Sequence, residues 1–170
     1  MKHTLLFLLM ICACTLQATA TGKQPRLTDD ELMTLVQKQT FRYFWDFAHP
    51  ESGLARERSN DRLEIATIGG SGFGVMAIIV GVERGFITRE QGAERLLKIV
   101  EFLNKADSYH GIWAHWMDGA TGKTIPFSRK DDGADLVESA FMFEGLLAAH
   151  QYFTHDNPTE NRIRGLINTL

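Results

Sequence analysis

Residues 131–153 read DDGADLVESAFMFEGLLAAHQYF, a run of carboxylates passing into an apolar stretch with no proline. The spacing predicts a helix over about 132–153, with Leu136, Ala140, Phe143, Leu147 and Ala148 as its packing stripe. Asp131, Asp135 and Glu138 stand four and then three residues apart, so on a continuous helix they share one face. Like charges on one face repel and add nothing to the fold, so carboxylates pointing inward need a cation, a sugar or a proton beside them. The plain alternative is that Asp131 and Asp132 cap the helix while Asp135 and Glu138 face water.

The flanks extend the helical reading. Downstream, Asn157-Pro158-Thr159-Glu160 has a capping Asn, a proline at the first helical position and a Glu three residues after the cap, so a further helix starts there. Upstream, Thr88-Arg89-Glu90-Gln91 is a capping box opening a helix to about Lys105, with Ala93, Leu96, Leu97, Val100 and Leu103 inward. Thr28-Asp29-Asp30-Glu31 is a second capping box, opening a helix to about Phe47 with apolar residues on two sides, which predicts burial on two sides. Between these, Gly69-Gly70-Ser71-Gly72-Phe73-Gly74 lacks the G-x-G-x-x-G spacing, because position 75 is Val. These glycines lead into an apolar helix over Val75 to Glu83, ended by Gly85, and let helix backbones approach closely. No strand pattern of any length is visible, so the fold class is all-α, with short connections joining antiparallel neighbours.

Two segments read as loops. In 50–65, Arg56, Glu57 and Arg58 lie in a polar stretch that is either a solvated loop or a binding rim. Residues 107–129 are rich in glycine and aromatics. There the alternation predicts a short extended piece, with Trp113 and His115 on one side and Trp116 on the other. Trp113, Trp116 and Phe127 either plug the core or offer flat apolar faces to a ligand, and sugar rings suit such faces. Gly119 to Thr124 is a turn, since Met117 stands where a phosphate loop needs glycine and Pro126 blocks the helix that would follow.

The chain has 170 residues, 44% of them hydrophobic and 23% charged, the balance of a globular domain. Its net charge of −3 and the absence of a Lys/Arg cluster exclude nucleic acid as a main partner. Lys2, the apolar run Leu5 to Ile11 and the small residues after it form a targeting segment, 1–20, followed by a linker at 21–27 and a domain over 28–170. Two processing routes fit it: cleavage after Ala18-Thr19-Ala20, or lipidation of Cys14 in an Ile11-Cys12-Ala13-Cys14 lipobox. Either exports the protein, to the periplasm or to a lipid anchor on the outer membrane. Both cysteines lie in this segment, so the mature chain is expected to hold no disulfide or thiolate site.

The chemistry narrows by elimination. No G-x-S-x-G elbow and no H-E-x-x-H spacing occur, so neither a serine hydrolase elbow nor a zinc site is expected, and no metal or cofactor is called for. The carboxylates remain. Cleavage of a glycosidic bond needs one carboxyl to donate a proton to the leaving oxygen and another to activate water or attack. Asp131, Asp135 and Glu138 are the candidates for this chemistry; Trp113, His115, Trp116, Phe127 and Arg56 to Arg58 are the candidates for substrate contact.

Asp131 to Glu138, Gly145-Leu146-Leu147, Gly72-Phe73-Gly74, Gly85-Phe86-Ile87-Thr88 and the stretch Gly111-Ile112-Trp113 to His115 together resemble the bacterial glucoamylase-like glycoside hydrolases that include the endo-β-1,2-glucanases, glycoside hydrolase family 144. The resemblance runs from about Leu27 to Phe153. It implies an (α/α)6 barrel, inverting attack on β-1,2-glucan or a related β-glucan, no metal, and an acidic cluster in the barrel mouth to which Asp131, Asp135 and Glu138 correspond. A barrel of six helix pairs asks for about twelve helices. Four to five are legible here, the N-terminal arc, with at least one further functional carboxylate expected beyond it. The isolated arc is expected to leave Phe41, Trp45, Phe141 and Phe143 uncovered and to be poorly soluble and inactive. The competing reading is a carbohydrate-binding surface lipoprotein, or an inactive remnant, that keeps the aromatic cleft without catalysis; a third, a helical interaction module with no sugar role, predicts that Trp113 and Trp116 are buried in the core.

Overall fold

The computed structural model describes residues 26–170; the expected targeting segment, Cys14 and all but the end of the expected linker lie outside the described residues. The chain divides into two compact units, 1–34 and 35–170. In the first, Thr28 closes its capping box. Its N–H donates to Glu31 Oε2 at 2.8 Å, and its Oγ1 accepts from Glu31 N–H at 3.3 Å. Helix α1 (Asp29–Trp45) starts there and continues into the second unit.

The second unit adds, in order, β1 (Ile65–Thr67), α2 (Ile68–Glu83), α3 (Arg89–Leu103), β2 (Ser108–Tyr109), β3 (Ile112–Trp113), β4 (Trp116–Asp118), β5 (Thr124–Ile125), α4 (Leu136–Tyr152) and α5 (Pro158–Ile167). The capping box at Thr88 and Gln91 and the Asn157 cap with Pro158 behind it form as their sequences predict. The short strands correct the all-helical expectation. They make an antiparallel sheet ordered β1-β4-β5 and a β2-β3 hairpin. At two or three residues each, they fall below the length at which a period of two can be read from sequence.

The glycine run is the first two turns of α2 rather than an entry to it. A Cβ on Gly72 would run into the Phe141 carbonyl, and one on Gly145 would stand 2.5 Å from the Gly72 carbonyl. The α2 and α4 backbones therefore touch where side chains would normally separate them. This contact selects the buried face of α4: Ser139, Met142, Gly145, Leu146 and Ala149. The predicted stripe is corrected, since Leu136, Ala140 and Leu147 are exposed. A helix apolar nearly all round gives no single stripe from sequence, and the glycine contact makes the choice.

The core joins Leu96, Ile99, Val100 and Leu103 of α3 to Met117, Met142, Leu146, Phe153 and Ile163. Phe41 is buried, its ring against Phe86 and Trp45. Phe143 is half-buried against Trp113. Of the four aromatics expected to stay uncovered, Phe141 is the exposed one. Its ring lies beside that of Phe73, and Met76, Val80, Val137 and Leu147 of the same two helices are exposed as well. Helix α1 is not buried on two sides either, because Leu35 and Val36 are exposed. No helix among the described residues is long and apolar enough to cross a membrane.

Candidate active site

The strand 112–118 organises the site. Its first part, β3, pairs with β2, and its second, β4, pairs with β1 and β5, so the chain changes sheets at Ala114-His115. The alternation of side chains breaks there. Trp113 turns into the core, 1% exposed, with its ring 5.0 Å from Phe143. His115 and Trp116 instead share a neighbour: Phe127 stacks on His115 at 4.3 Å and meets Trp116 edge-on at 4.7 Å. The expected pairing of Trp113 with His115 is thus replaced by His115, Trp116 and Phe127. Trp113 supports the site from below and offers no face to a ligand.

On one flank of this strand, Ala134 bridges Ala114, and the Asp135 N–H donates to the Trp113 carbonyl at 2.8 Å. The buried Ser139 hydroxyl donates to the same carbonyl at 3.2 Å and accepts from Trp113 N–H at 3.0 Å. These bonds hold Ala134 and the extended Asp135 against the strand, so α4 starts at Leu136 and Asp131 never joins it. The three carboxylates therefore do not lie along one helix face, as the spacing predicted. Asp131 is on a loop, Asp135 is the N-cap and Glu138 lies in the first turn.

Asp135 divides its two oxygens. Oδ1 accepts from Val137 and Glu138 N–H at 2.9 and 3.0 Å, while Oδ2 faces His115 Nδ1 at 3.3 Å. Asp-x-x-Glu at a helix start normally lets the Glu return to the cap backbone. Here that backbone N–H is taken by Trp113, and Glu138 crosses to α2. Its Oε2 accepts from Gly69 N–H at 2.8 Å and from Thr67 Oγ1 at 3.3 Å. Thr67 is the N-cap of α2 but does not cap it with its own side chain. Glu138 thus satisfies the start of a second helix, where a negative group is favoured. Gly69 makes room, since a Cβ there would stand 2.5 Å from Glu138 Oε2. The other oxygen, Oε1, lies 3.9 Å from His115 Nε2. His115 therefore stands between Asp135 and Glu138, and Asp131 joins them: one ligand-type atom each from His115, Asp131 and Asp135 lies within 4.8 Å of the others. The same three atoms could hold a divalent cation, a possibility that the histidine spacing did not signal.

On the other flank, Arg56 bridges Ala66, and Glu57 N–H donates to the Ile65 carbonyl at 3.0 Å, so residues 55–57 extend the sheet past β1. Arg56 is committed to structure, bonding the Phe47 and Leu63 carbonyls and lying over the Phe47 ring. Arg58 grips Glu57 with two nitrogens. That bond, opposed by partial burial and reinforced by the charges of Arg58, Arg62 and His115, holds the Glu57 carboxyl below its usual range. Glu57 consequently feels both the 56–62 loop and His115. Three participants carried no local signal in sequence: Thr67, Gly69 and Arg62, whose roles depend on partners far along the chain.

No family model matches the chain. Individual relatives are informative. An exo β-1,2-glucooligosaccharide sophorohydrolase of Parabacteroides distasonis is 53% identical over 145 residues, 85% of this chain and 20% of that protein. Among solved structures, an endo-β-1,2-glucanase of Chitinophaga pinensis, in complex with sophorotriose and glucose, superposes with a TM-score of 0.81 at 51% identity, covering 85% of this chain and 36% of that one. A candidate glucoamylase of Bacteroides uniformis gives 0.85 at 83% identity, over 86% of this chain and 36% of that one. The chain is homologous to part of the glucoamylase-like glycoside hydrolases of family 144. It spans about a fifth of the curated relative and about a third of these two solved chains. Its helices match part of the α/α-barrel structures of this family.

Proposed function

We propose that this glucoamylase-like chain supplies the acidic side of a β-1,2-glucan hydrolase in an exported protein, acting by carboxylate general acid/base chemistry with inversion. The observation that carries the reading is the convergence of Asp131, Asp135 and Glu138 on His115 beside a half-exposed aromatic ring. Its substrate comes from the relatives, which are β-1,2-glucanases and a sophorohydrolase.

Spacing supports a division of roles. Inversion places the acid and the base about 6.5–9.5 Å apart so that a water fits beside the sugar. Asp131 and Asp135 bring oxygens within 4.8 Å, closer than an inverting acid and base stand, so they are not that pair. They act together on the face that water attacks, with Asp135 Oδ2, beside His115, as the oxygen left for the task because Oδ1 is spent on the helix cap. Glu138, fixed by Gly69 and Thr67, holds His115 from its far side. The proton for the leaving oxygen then comes from a carboxyl across the cleft.

Binding is read on this chain and turnover on a chimera in which it replaces the matched third of the Bacteroides uniformis relative. The chain should bind sophorotriose in calorimetry. The chimera should release reducing sugar from linear β-1,2-glucan, with loss of product in Asp135→Asn and Glu138→Gln, and NMR should show the α-anomer first. Full activity in both variants would overturn the assignment. Sophorotriose binding with no product from a folded chimera would replace it by the binding-only lipoprotein reading.

A further inference from the structure

Of the three arginines in 56–62, two are occupied: Arg56 by the Phe47 and Leu63 carbonyls and Arg58 by Glu57. Arg62 is different. Its guanidinium lies over the Trp116 ring at 5.1 Å, and no carboxylate stands within ion-pair distance of it among the described residues. Its backbone has φ of 47°, in the left-handed region that non-glycine residues rarely adopt. Such a conformation persists only where the surroundings impose it, and it concentrates at binding sites. Here the turn is closed by a bond from Ile65 N–H to the Arg62 carbonyl at 3.0 Å.

The aromatic beneath Arg62 leads to the acidic group. Trp116, 7% exposed, is the floor; Phe127 meets it edge-on and lies nearly parallel to His115, 17° between planes. One face of Phe127 is thus covered by His115, while the residue as a whole is 47% exposed. A planar guanidinium on an indole keeps its in-plane N–H donors available. Four carboxylates, Glu57, Asp131, Asp135 and Glu138, surround this surface and disfavour an anionic ligand. A neutral polyol with a flat apolar face remains.

We infer that Arg62 and the open face of Phe127 form a glucosyl subsite next to the acidic group, with the sugar stacked on Phe127 and its hydroxyls accepting from Arg62. The subsite rests on the β-glucan reading above and adds a specificity-determining residue to it. The cation is placed by Trp116 and by the left-handed turn at 62, so neither lysine nor a relaxed turn reproduces it.

The test is sophorotriose titrated into the 170-residue chain by calorimetry, with Asp135→Asn as a reference. Arg62→Gly keeps the turn, because glycine favours φ of this sign, and removes only the guanidinium. It should weaken binding about tenfold with an unchanged melting temperature; Phe127→Ala should weaken binding to a similar extent and also lower the melting temperature, because it loses its ring contacts with His115 and Trp116. Arg62→Lys should fall between Arg62→Gly and the parent. Parent-like affinity in Arg62→Gly, while Asp135→Asn alters binding, would overturn the subsite alone. A parent chain that does not bind sophorotriose would overturn the β-glucan reading and the subsite with it.

Discussion

Helices α4 and α5 start with the same local grammar and end up with opposite uses for it. Each has a polar N-cap, Asp135 or Asn157, and a glutamate three residues later, Glu138 or Glu160. Glu160 stays near its own cap: it accepts from Asn157 Nδ2 at 3.3 Å and from His155 N–H at 2.8 Å, and Arg89 seals it with two bonds of 2.9 Å each. It is 2% exposed, with no valence left for chemistry. Glu138 abandons its cap, because Trp113 has taken the Asp135 N–H, and spends one oxygen on α2 while the other faces His115. A saturated carboxylate holds two helices together, whereas a half-satisfied one is available to a ligand.

The largest effect should come from the saturated partner. Glu160→Gln leaves the Arg89 guanidinium uncompensated and should cost about 3–5 kcal/mol, read as a shift in the urea midpoint at constant slope. A loss below about 1 kcal/mol would mean that the clamp is not structural. Burial alone would raise the Glu160 carboxyl, but Arg89, His155 and Asn157 outweigh it and hold it below the usual range. A group lowered on folding contributes stability that is complete above its unfolded value, about 4.3, and fades as pH falls through the folded one. Melting temperature should therefore drop below about pH 4 in the parent and follow a flatter course in Glu160→Gln.

A smaller loss should follow where α2 meets α4. Gly72→Ala pushes against the Phe141 backbone, which cannot turn aside as a side chain can, and should cost about 1–3 kcal/mol. Because α2 also carries Gly69, the variant should weaken sophorotriose binding along with stability. Binding at parent strength in a destabilised Gly72→Ala would show that the Glu138 contact survives without the glycine seam.

The smallest stability change and the sharpest test belong to Gly69→Ala. The new methyl meets the far end of the flexible Glu138 side chain, and alanine favours a helix by about 1 kcal/mol over glycine, so stability should stay within about 0.5 kcal/mol. Glu138 should nevertheless leave the start of α2, lowering chimera turnover. Unaltered turnover would separate the Glu138 position from function.

Much of this was written locally. The capping residues Thr28, Thr88 and Asn157 need only their own next turn, and those helix starts follow from sequence. The family resemblance is likewise carried by short motifs in order, from Gly72-Phe73-Gly74 through Gly111-Ile112-Trp113 to Asp131–Glu138 and Gly145-Leu146-Leu147. What escaped were features set by distant partners. The strands are too short for periodicity. The inward face of α4 depends on a glycine of α2. The switch of sheets at Ala114 buried Trp113 and grouped Trp116 with His115. The sequence by itself determined which segments are helical and which side chains could do acid/base work, because caps, spacing and charge act over a few residues. Only the tertiary structure decided which of two like glutamates is sealed and which is open, and that Arg62 stands over Trp116. Those outcomes depend on backbone N–H groups and aromatic faces brought together from opposite ends of the fold.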